Sequence, residues 1–177
     1  MHLKTQTLFF ILFISFSFAA VAQTGFPVPN GNNKQLFYLQ RTPNTNTIVY
    51  ELNYKNGEID LENPIHEFWI RYQENGQRQE LSYIQRKFAY GIKSKKLGDN
   101  RYELSFVSYK KYKMYLEPGP DKRLIVYTKI NNKKVVLTSI FLKIREGGSF
   151  WSPNIEYVEV SGIEPSSRSI VKEKVKI

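Results

Sequence analysis

The stretch that decides the fold is LIVYTKI-NN-KKVVLTSIFLKI, residues 124–144. Two runs rich in β-branched and aromatic residues, Leu124–Ile130 and residues 135–144, flank the pair Asn131-Asn132. Asparagine tolerates the positive φ that a tight two-residue turn requires. The stretch therefore predicts two antiparallel strands joined by a hairpin.

The same alternation of apolar and polar residues recurs along the chain. It begins at Ile48, at Phe68 and at Tyr102, and turn pairs such as Asn56-Gly57 separate the runs. Period-two alternation is typical of half-buried strands. We expect a mainly β fold with about eight to ten short strands, arranged as an antiparallel β-sandwich or an open β-barrel.

One stretch departs from this period. Leu81, Ile84 and Phe88 are spaced so that they form one apolar stripe on a helix. We predict one amphipathic helix over about residues 78–90, ended by Gly91, that closes one end or covers one face of the sheets. A pair of strands is the alternative.

The first residues have the pattern of a secretory signal peptide. Lys4 precedes the apolar run at residues 8–18, and Ala20-Val21-Ala22 ends it. The run is about half the roughly 20 residues that a transmembrane helix needs. We expect cleavage after residue 22, an irregular lead-in at residues 23–34 and a single β-rich domain at residues 35–177. The protein would be periplasmic or extracellular and would not span the membrane.

The composition restricts the chemistry. The chain has no cysteine, which excludes a lipoprotein anchor, thiol nucleophiles and cysteine-ligated metals. After cleavage His66 is the single histidine, and no catalytic or metal-binding motif surrounds it. We expect no cofactor, no metal and no catalytic residue. A hydrolase of envelope glycan or lipid is an alternative; it would use His66 or a pair of carboxylates, drawn from Glu58, Asp60 and Glu62 or from Glu156, Glu159 and Glu164.

The chain is basic. Its 26 Lys and Arg against 16 Asp and Glu give a net charge of +10, and loss of Lys4 would leave +9. Lys110, Lys111 and Lys113 are interleaved with tyrosines, a pattern that binds polyanions. In an exported protein the partner would be an anionic envelope polymer rather than nucleic acid. A second alternative is therefore a structural or adhesion module.

The most site-like segment is GGSFWSP, residues 147–153, which contains Ser149 and Trp151. A tryptophan in a loop often lines a pocket or an interface; the alternative is that Phe150 and Trp151 cover the end of the core. Trp69 and Tyr90 would join this segment if the helix packs nearby. Arg41, if it points inward, would be a seat for an anion or a carboxylate.

Several segments in combination resemble a family of small exported bacterial proteins classed as a domain of unknown function. They are LFYLQR at 36–41, NTNTIVY at 44–50, PIHEFWI at 64–70, IQRKFAYGI at 84–92, VSY at 107–109 and GGSFWSP at 147–153. The resemblance implies an envelope or secreted setting and carries no activity. The leading hypothesis is an exported, non-enzymatic β-domain that binds a small ligand or a partner in the cell envelope.

Overall fold

A computed structural model describes residues 25–149 and 151–176. The predicted signal peptide at residues 1–22 and Phe150 lie outside these residues. The described part contains thirteen strands and one short helix. The strands are β1 (Gln35–Arg41), β2 (Thr47–Leu52), β3 (Tyr54–Lys55), β4 (Glu58–Ile59), β5 (Ile65–Ile70), β6 (Arg78–Glu80), β7 (Ile92–Gly98), β8 (Arg101–Phe106), β9 (Met114–Pro118), β10 (Leu124–Ile130), β11 (Lys133–Ile144), β12 (Ile155–Ile163) and β13 (Ile170–Lys176).

The hairpin at residues 124–144 is confirmed. β10 and β11 pair antiparallel from Tyr127–Val136 to Ile130–Lys133. Asn131 and Asn132 form the turn with φ of 49° and 63°. Both residues adopt the left-handed conformation, which is the geometry that this turn requires.

The sheet curls into a half-barrel, so the expected mainly β fold is confirmed in its open-barrel form. Nine strands follow one another in the order β6-β5-β2-β1-β11-β10-β9-β8-β7, and β3 and β4 form a separate hairpin. One pairing departs from the antiparallel prediction: β1 and β11 are parallel, from Tyr38–Ser139 to Arg41–Leu142.

The long strand β11 holds the sheet together. Its first residues pair with β10 and its later residues pair with β1, while β12 pairs along residues 136–144. Because a strand has only two edges, β10 and β1 must follow one another along one edge and β12 must occupy the other. β13 then extends the sheet beyond β12.

The inner face of the half-barrel is an aromatic and aliphatic core. Phe37 and Tyr50 stack with ring centroids 4.4 Å apart, and Phe106 meets both rings edge-on. Leu104 and Met114 are fully buried. Each such side chain contributes about 1.5–3 kcal/mol through burial, so a domain without disulfides is held by packing.

The helix is shorter than predicted. Residues Arg78–Glu80 form the edge strand β6, and the helix begins only at Tyr83, with an α-helical segment, α1 (Tyr83–Gln85), followed by a π-helical segment, Arg86–Tyr90. The Ser82 hydroxyl accepts the N–H of Gln85, which caps the helix start. Residues 78–80, which were predicted to form the first helical turn, are extended because they pair with β5 as strand β6.

The predicted apolar stripe divides into two environments. Leu81 is buried in the core, whereas Ile84 and Phe88 are exposed. Gly91 follows the helix, and a Cβ at this position would lie 2.1 Å from the Arg86 carbonyl oxygen. A side chain is therefore excluded at the point where the chain leaves the helix and enters β7.

The helix joins the two edge strands of the nine-strand path, β6 and β7. Two hydrogen bonds reach across from the other strands: the Tyr50 hydroxyl donates to the Tyr90 carbonyl (2.9 Å), and the Ile92 N–H donates to Glu67 Oε1 (2.8 Å). These bonds fix the end of the helix against the open side of the half-barrel.

Residues 25–34 contain no strand and no helix. They still pack on the sheet, because the Gln40 amide donates to the Pro27 carbonyl (2.7 Å) and the rings of Phe26 and Phe141 meet edge-on at 5.1 Å. Within residues 25–149 and 151–176, no helix is long and apolar enough to cross a membrane.

Candidate functional site

Arg41 is the last residue of β1 and lies in phase with Phe37 and Leu39, which are core residues. Its guanidinium carbon lies 5.9 Å from the ring centroids of both Trp69 and Tyr90. The structure therefore brings together three of the five residues predicted to bind a ligand. They meet at the end of the half-barrel where β1 and β5 terminate.

Trp69 and Tyr90 form the aromatic wall of this site. Their rings meet edge-on, with centroids 5.3 Å apart. The Trp69 indole N–H donates to Gln85 Oε1 (3.3 Å) on the helix, and the Tyr90 carbonyl is held by Tyr50. The short helix thus holds the Trp69 ring through Gln85 and contributes the Tyr90 ring itself. Residues 85–90 therefore lie beside Arg41 although they are far from it in the sequence.

Among the described residues, Arg41 has no counter-ion. Its Nε is buried and has no hydrogen-bond partner in this part of the chain. Arg41 takes part in none of the ion pairs within the described part of the chain. The two rings compensate the charge in part through their π faces. An anionic group would supply the missing acceptor and the missing charge together.

Trp151, in the loop that follows β11, contacts the helix at Phe88. Trp151 packs edge-on against Phe88 with centroids 5.5 Å apart, yet its side chain is 67% exposed. The alternative interpretation expected Trp151 to cover the end of the core. Its exposure contradicts this for Trp151. Phe88 and Tyr90 belong to the same π-helical segment, and this segment links the loop to the Arg41 site.

Ser149 has a local role. Its hydroxyl and its carbonyl both accept the Ser152 N–H, and its own N–H donates to the Ser152 carbonyl (3.0 Å). Gly148 is needed beside it, because a Cβ there would lie 2.4 Å from the Asn154 nitrogen. The structure thus places Ser149 in the turn of the loop and not between Arg41 and the two rings.

A family model described as a domain of unknown function (DUF4833) matches residues 37–174. The chain belongs to this family. The match includes all five predicted ligand-binding residues, and it confirms the resemblance to a domain of unknown function. No curated protein and no solved structure matches the chain.

His66 of this DUF4833 domain is engaged on both ring nitrogens. Nδ1 lies 3.3 Å from Glu51 Oε1 and Nε2 lies 2.8 Å from Glu80 Oε2, while Arg78 donates to Glu51 (2.9 Å). A triad histidine needs one nitrogen on a hydroxyl nucleophile. These contacts favour a structural ion cluster that fixes the edge strand β6 to β5 and β2.

The acidic residues considered for a carboxylate pair are separated by their local contacts. The Asp60 carboxylate accepts two N–H groups of its own turn, and β4 ends at Ile59, so Glu58, Asp60 and Glu62 do not lie on one strand. The three late acids each pair with a cation, Glu156 with Arg145, Glu159 with Lys172 and Glu164 with Lys133. Within the described residues, no cluster of histidines and acids has the geometry to hold a metal.

Two buried carboxylates were not singled out from the sequence: Glu51, which pairs with Arg78, and Glu67. Glu67 lies in phase with the core residues Ile65 and Trp69 on β5 and is 5% exposed. Burial raises its pKa; the Ile92 N–H and the nearby Arg86 partly offset this rise. Its position between Ile65 and Trp69 in an alternating strand was the available signal.

The basic segment is a loop, not a strand. Lys110 and Lys111 are exposed in the connection between β8 and β9, and β9 begins only at Met114. Lys113 donates to Glu103 (2.6 Å), and this hydrogen bond lowers the pKa of Glu103. Two of the three predicted anion-binding lysines therefore remain without an ion-pair partner in the described residues, and the third is neutralised.

Two surface depressions lie away from Arg41. One of about 250 Å³ is lined by residues of the β5–β6 connection, including Arg71 and Gln77. The other, of about 550 Å³, lies between the β3–β4 hairpin and Leu124. Neither is lined by Trp69 or Tyr90.

Proposed function

We propose that this DUF4833 protein is an exported, non-enzymatic binding domain that receives an anionic group of its ligand at Arg41. The observation that carries the proposal is the buried Arg41 Nε without a partner, beside two aromatic rings. Buried polar groups in folded proteins are nearly always satisfied. An anionic ligand would supply the hydrogen-bond acceptor that the buried Arg41 Nε lacks among the described residues.

The geometry favours a carboxylate or a phosphate. A guanidinium presents parallel N–H groups that match two oxygens of either anion. Trp69 is buried and Tyr90 is half-buried, so they exclude water from one side of the charge. Water exclusion strengthens the attraction between the cation and the bound anion.

The export part of the proposal is supported by the first 22 residues, whose charge, apolar run and small residues have the signal-peptide pattern. Expression of the full chain in a Gram-negative host tests it. Intact-mass measurement of the protein from the periplasm or the medium should give a chain that starts at Gln23. Recovery of only the uncleaved chain in the cytoplasm would contradict export.

Ligand binding is tested by titration with inorganic phosphate and with acetate, followed by amide chemical shifts. The wild type should show saturable shifts centred on Arg41, Trp69 and Tyr90. Arg41→Met should lose them. Arg101→Met is the matched control, because Arg101 is exposed at the start of β8 and takes part in none of the described ion pairs.

Two results would contradict the proposed site. One is equal loss of binding in both arginine variants, which would indicate general attraction to a basic protein. The other is saturable binding whose shifts centre on Lys110 and Lys111 instead. Salt titration separates both cases from binding at Arg41, since attraction between exposed charges is largely screened beyond about 10 Å at 0.1 M salt and a partly buried pair is screened much less.

A further inference from the structure

Four large apolar side chains form an exposed surface on the far side of the helix from Trp69. This aromatic patch consists of Tyr83, Ile84, Phe88 and Trp151, which are 71%, 49%, 47% and 67% exposed. The Lys87 ammonium lies 5.1 Å from the Tyr83 ring and 5.3 Å from the Phe88 ring, and Phe88 meets Trp151. The contacts make the patch continuous across two chain segments.

The patch is an unusual use of an amphipathic helix. Of the predicted apolar stripe, only Leu81 is buried in the core, whereas Ile84 and Phe88 face solvent. Large exposed apolar surfaces mark sites of association. The two segments of the patch also hold each other in place, since the loop of Trp151 rests on the helix.

The charged group in contact with the patch is positive. Lys87 is in contact with the patch rings, and its Nζ donates to the Tyr83 hydroxyl (2.8 Å). The nearest acid on β6, Glu80, is already engaged by His66 (2.8 Å) and Arg86 (3.3 Å). The same helix positions the Arg41 site through Gln85 and Tyr90. One side of the helix thus carries apolar rings with a lysine, and Tyr90 on the other side faces the Arg41 guanidinium of β1.

We propose that the aromatic patch docks on an anionic lipid surface. Trp151 and Phe88 enter the boundary between headgroups and acyl chains, and Lys87 faces the headgroups. Tryptophan and tyrosine with neighbouring lysine are the side chains that favour this boundary. The inference goes beyond the proposed function, because no residue of the patch belongs to the Arg41 site.

A protein partner is the rival occupant, because tryptophan and tyrosine also dominate protein interfaces. Protein interfaces carry about one hydrogen bond per 100–200 Å². In the patch the Tyr83 hydroxyl already accepts from Lys87, Ile84 and Phe88 have no polar side-chain atom, and Trp151 has only its indole N–H. The charge also complements lipid, since the chain carries +10 overall.

The test is co-sedimentation of the purified protein with vesicles of phosphatidylcholine alone or mixed with phosphatidylglycerol. The wild type should bind the anionic vesicles, and the double variant Phe88→Ser/Trp151→Ser should bind roughly tenfold more weakly or worse, because two apolar side chains no longer leave water. Leu97→Ser/Tyr109→Ser is the matched control, since these residues are 52% and 55% exposed outside the patch. The control should bind like the wild type.

Every variant carries the same N-terminus, so the comparison isolates the patch from residues 1–24. Far-ultraviolet circular dichroism confirms folding, and Trp151→Ser alone replaces the double variant if the latter does not fold. Equal vesicle binding by wild type and patch variant overturns the inference, as does loss of binding only in Lys110→Ser/Lys111→Ser. Absence of binding of the wild type to anionic vesicles overturns it as well and favours the protein partner.

Phosphate titration separates the two proposals. The patch variant should keep phosphate binding in solution while it loses vesicle binding. If the wild type binds phosphate at Arg41 but ignores vesicles, the lipid inference fails and the proposed function stands. If the patch drives vesicle binding but phosphate leaves Arg41 unaffected, the proposed anion site fails and the docking surface stands without it.

Discussion

Replacement of Arg41 by methionine should make the protein more stable when no anion is present. The wild-type fold buries the Arg41 Nε without a hydrogen-bond partner, and an unsatisfied buried group costs about 1–3 kcal/mol. Methionine keeps an unbranched apolar stem of comparable reach and removes this polar atom. A single residue that is predicted to bind ligand is therefore predicted to oppose folding.

The opposing contribution is small. The guanidinium carbon lies 5.9 Å from each ring centroid, close to the limit of about 6 Å for a cation–π contact, so each contact contributes near the low end of about 0.5–1 kcal/mol. A methionine sulfur beside the two rings recovers about 0.3–1.5 kcal/mol. The expected net gain is about 1 kcal/mol, which corresponds to about 2–4 °C in melting temperature for a domain of this size.

The assay is urea unfolding in phosphate-free buffer, followed by tryptophan fluorescence and by circular dichroism. Arg101→Met, the exposed control, should change stability by less than about 0.5 kcal/mol. With phosphate present, the wild type should become more stable than Arg41→Met. A ligand at 100 times its Kd stabilises the wild type by about 2.7 kcal/mol, and phosphate has no site in Arg41→Met. A loss of 1 kcal/mol or more in Arg41→Met without anion would refute the reasoning, because Arg41 would then be a structural residue.

Three further variants test the contacts that hold the site. Tyr50→Phe leaves the Tyr90 carbonyl without its 2.9 Å donor and should cost about 1–3 kcal/mol in urea unfolding; an unchanged midpoint would show that water replaces the hydroxyl. Burial raises the pKa of Glu67. Its contribution to the free energy of unfolding is therefore complete below the ordinary pKa of 4.5 and is lost as pH rises through the raised pKa. Glu67→Gln should gain stability relative to wild type as pH rises from about 4 to about 8, and a difference in stability that does not change with pH would contradict this. Gly91→Ala should shift the chain after the helix and lower the melting temperature, because its Cβ would lie 2.1 Å from the Arg86 carbonyl oxygen, and a melting temperature equal to wild type would rule this clash out.

The local parts of the fold were predictable because their causes are local. The hairpin at residues 124–144 depends on two asparagines that accept positive φ and on the alternation that flanks them. The parallel pairing of β1 with β11 joins Tyr38 to Ser139, about a hundred residues along the chain. Alternation shows that each segment is a strand but contains no information about its partner.

The helix shows where pattern and packing diverge. Leu81, Ile84 and Phe88 have helical spacing, and the helix exists, but Arg78–Glu80 pair with β5 as an edge strand with no buried side chain. An exposed strand of three residues has no apolar alternation to detect. The exposure of Ile84 and Phe88 was equally hidden, since spacing defines a stripe but not what covers it.

The candidate site likewise has one part that was predictable from the sequence and one part that was not. The inward direction of Arg41 follows from its phase with Phe37 and Leu39, so it was accessible from sequence as a conditional prediction. The convergence of Trp69 and Tyr90 on Arg41 depends on where the helix crosses, as does the contact of Phe88 with Trp151. These are tertiary contacts between segments that no local pattern connects.

The treatment of other buried charges makes Arg41 informative. Glu51 is buried on the outer face and is met by Arg78 and His66, and Glu67 is buried on the inner face and is met by the Ile92 N–H. Among the described residues, the Arg41 Nε is the one buried side-chain polar atom without a partner. A chain without cysteine has no disulfide to offset such a defect. If the proposed anion binds at Arg41, it supplies the missing acceptor in a fold where the buried Glu51 and Glu67 already have partners.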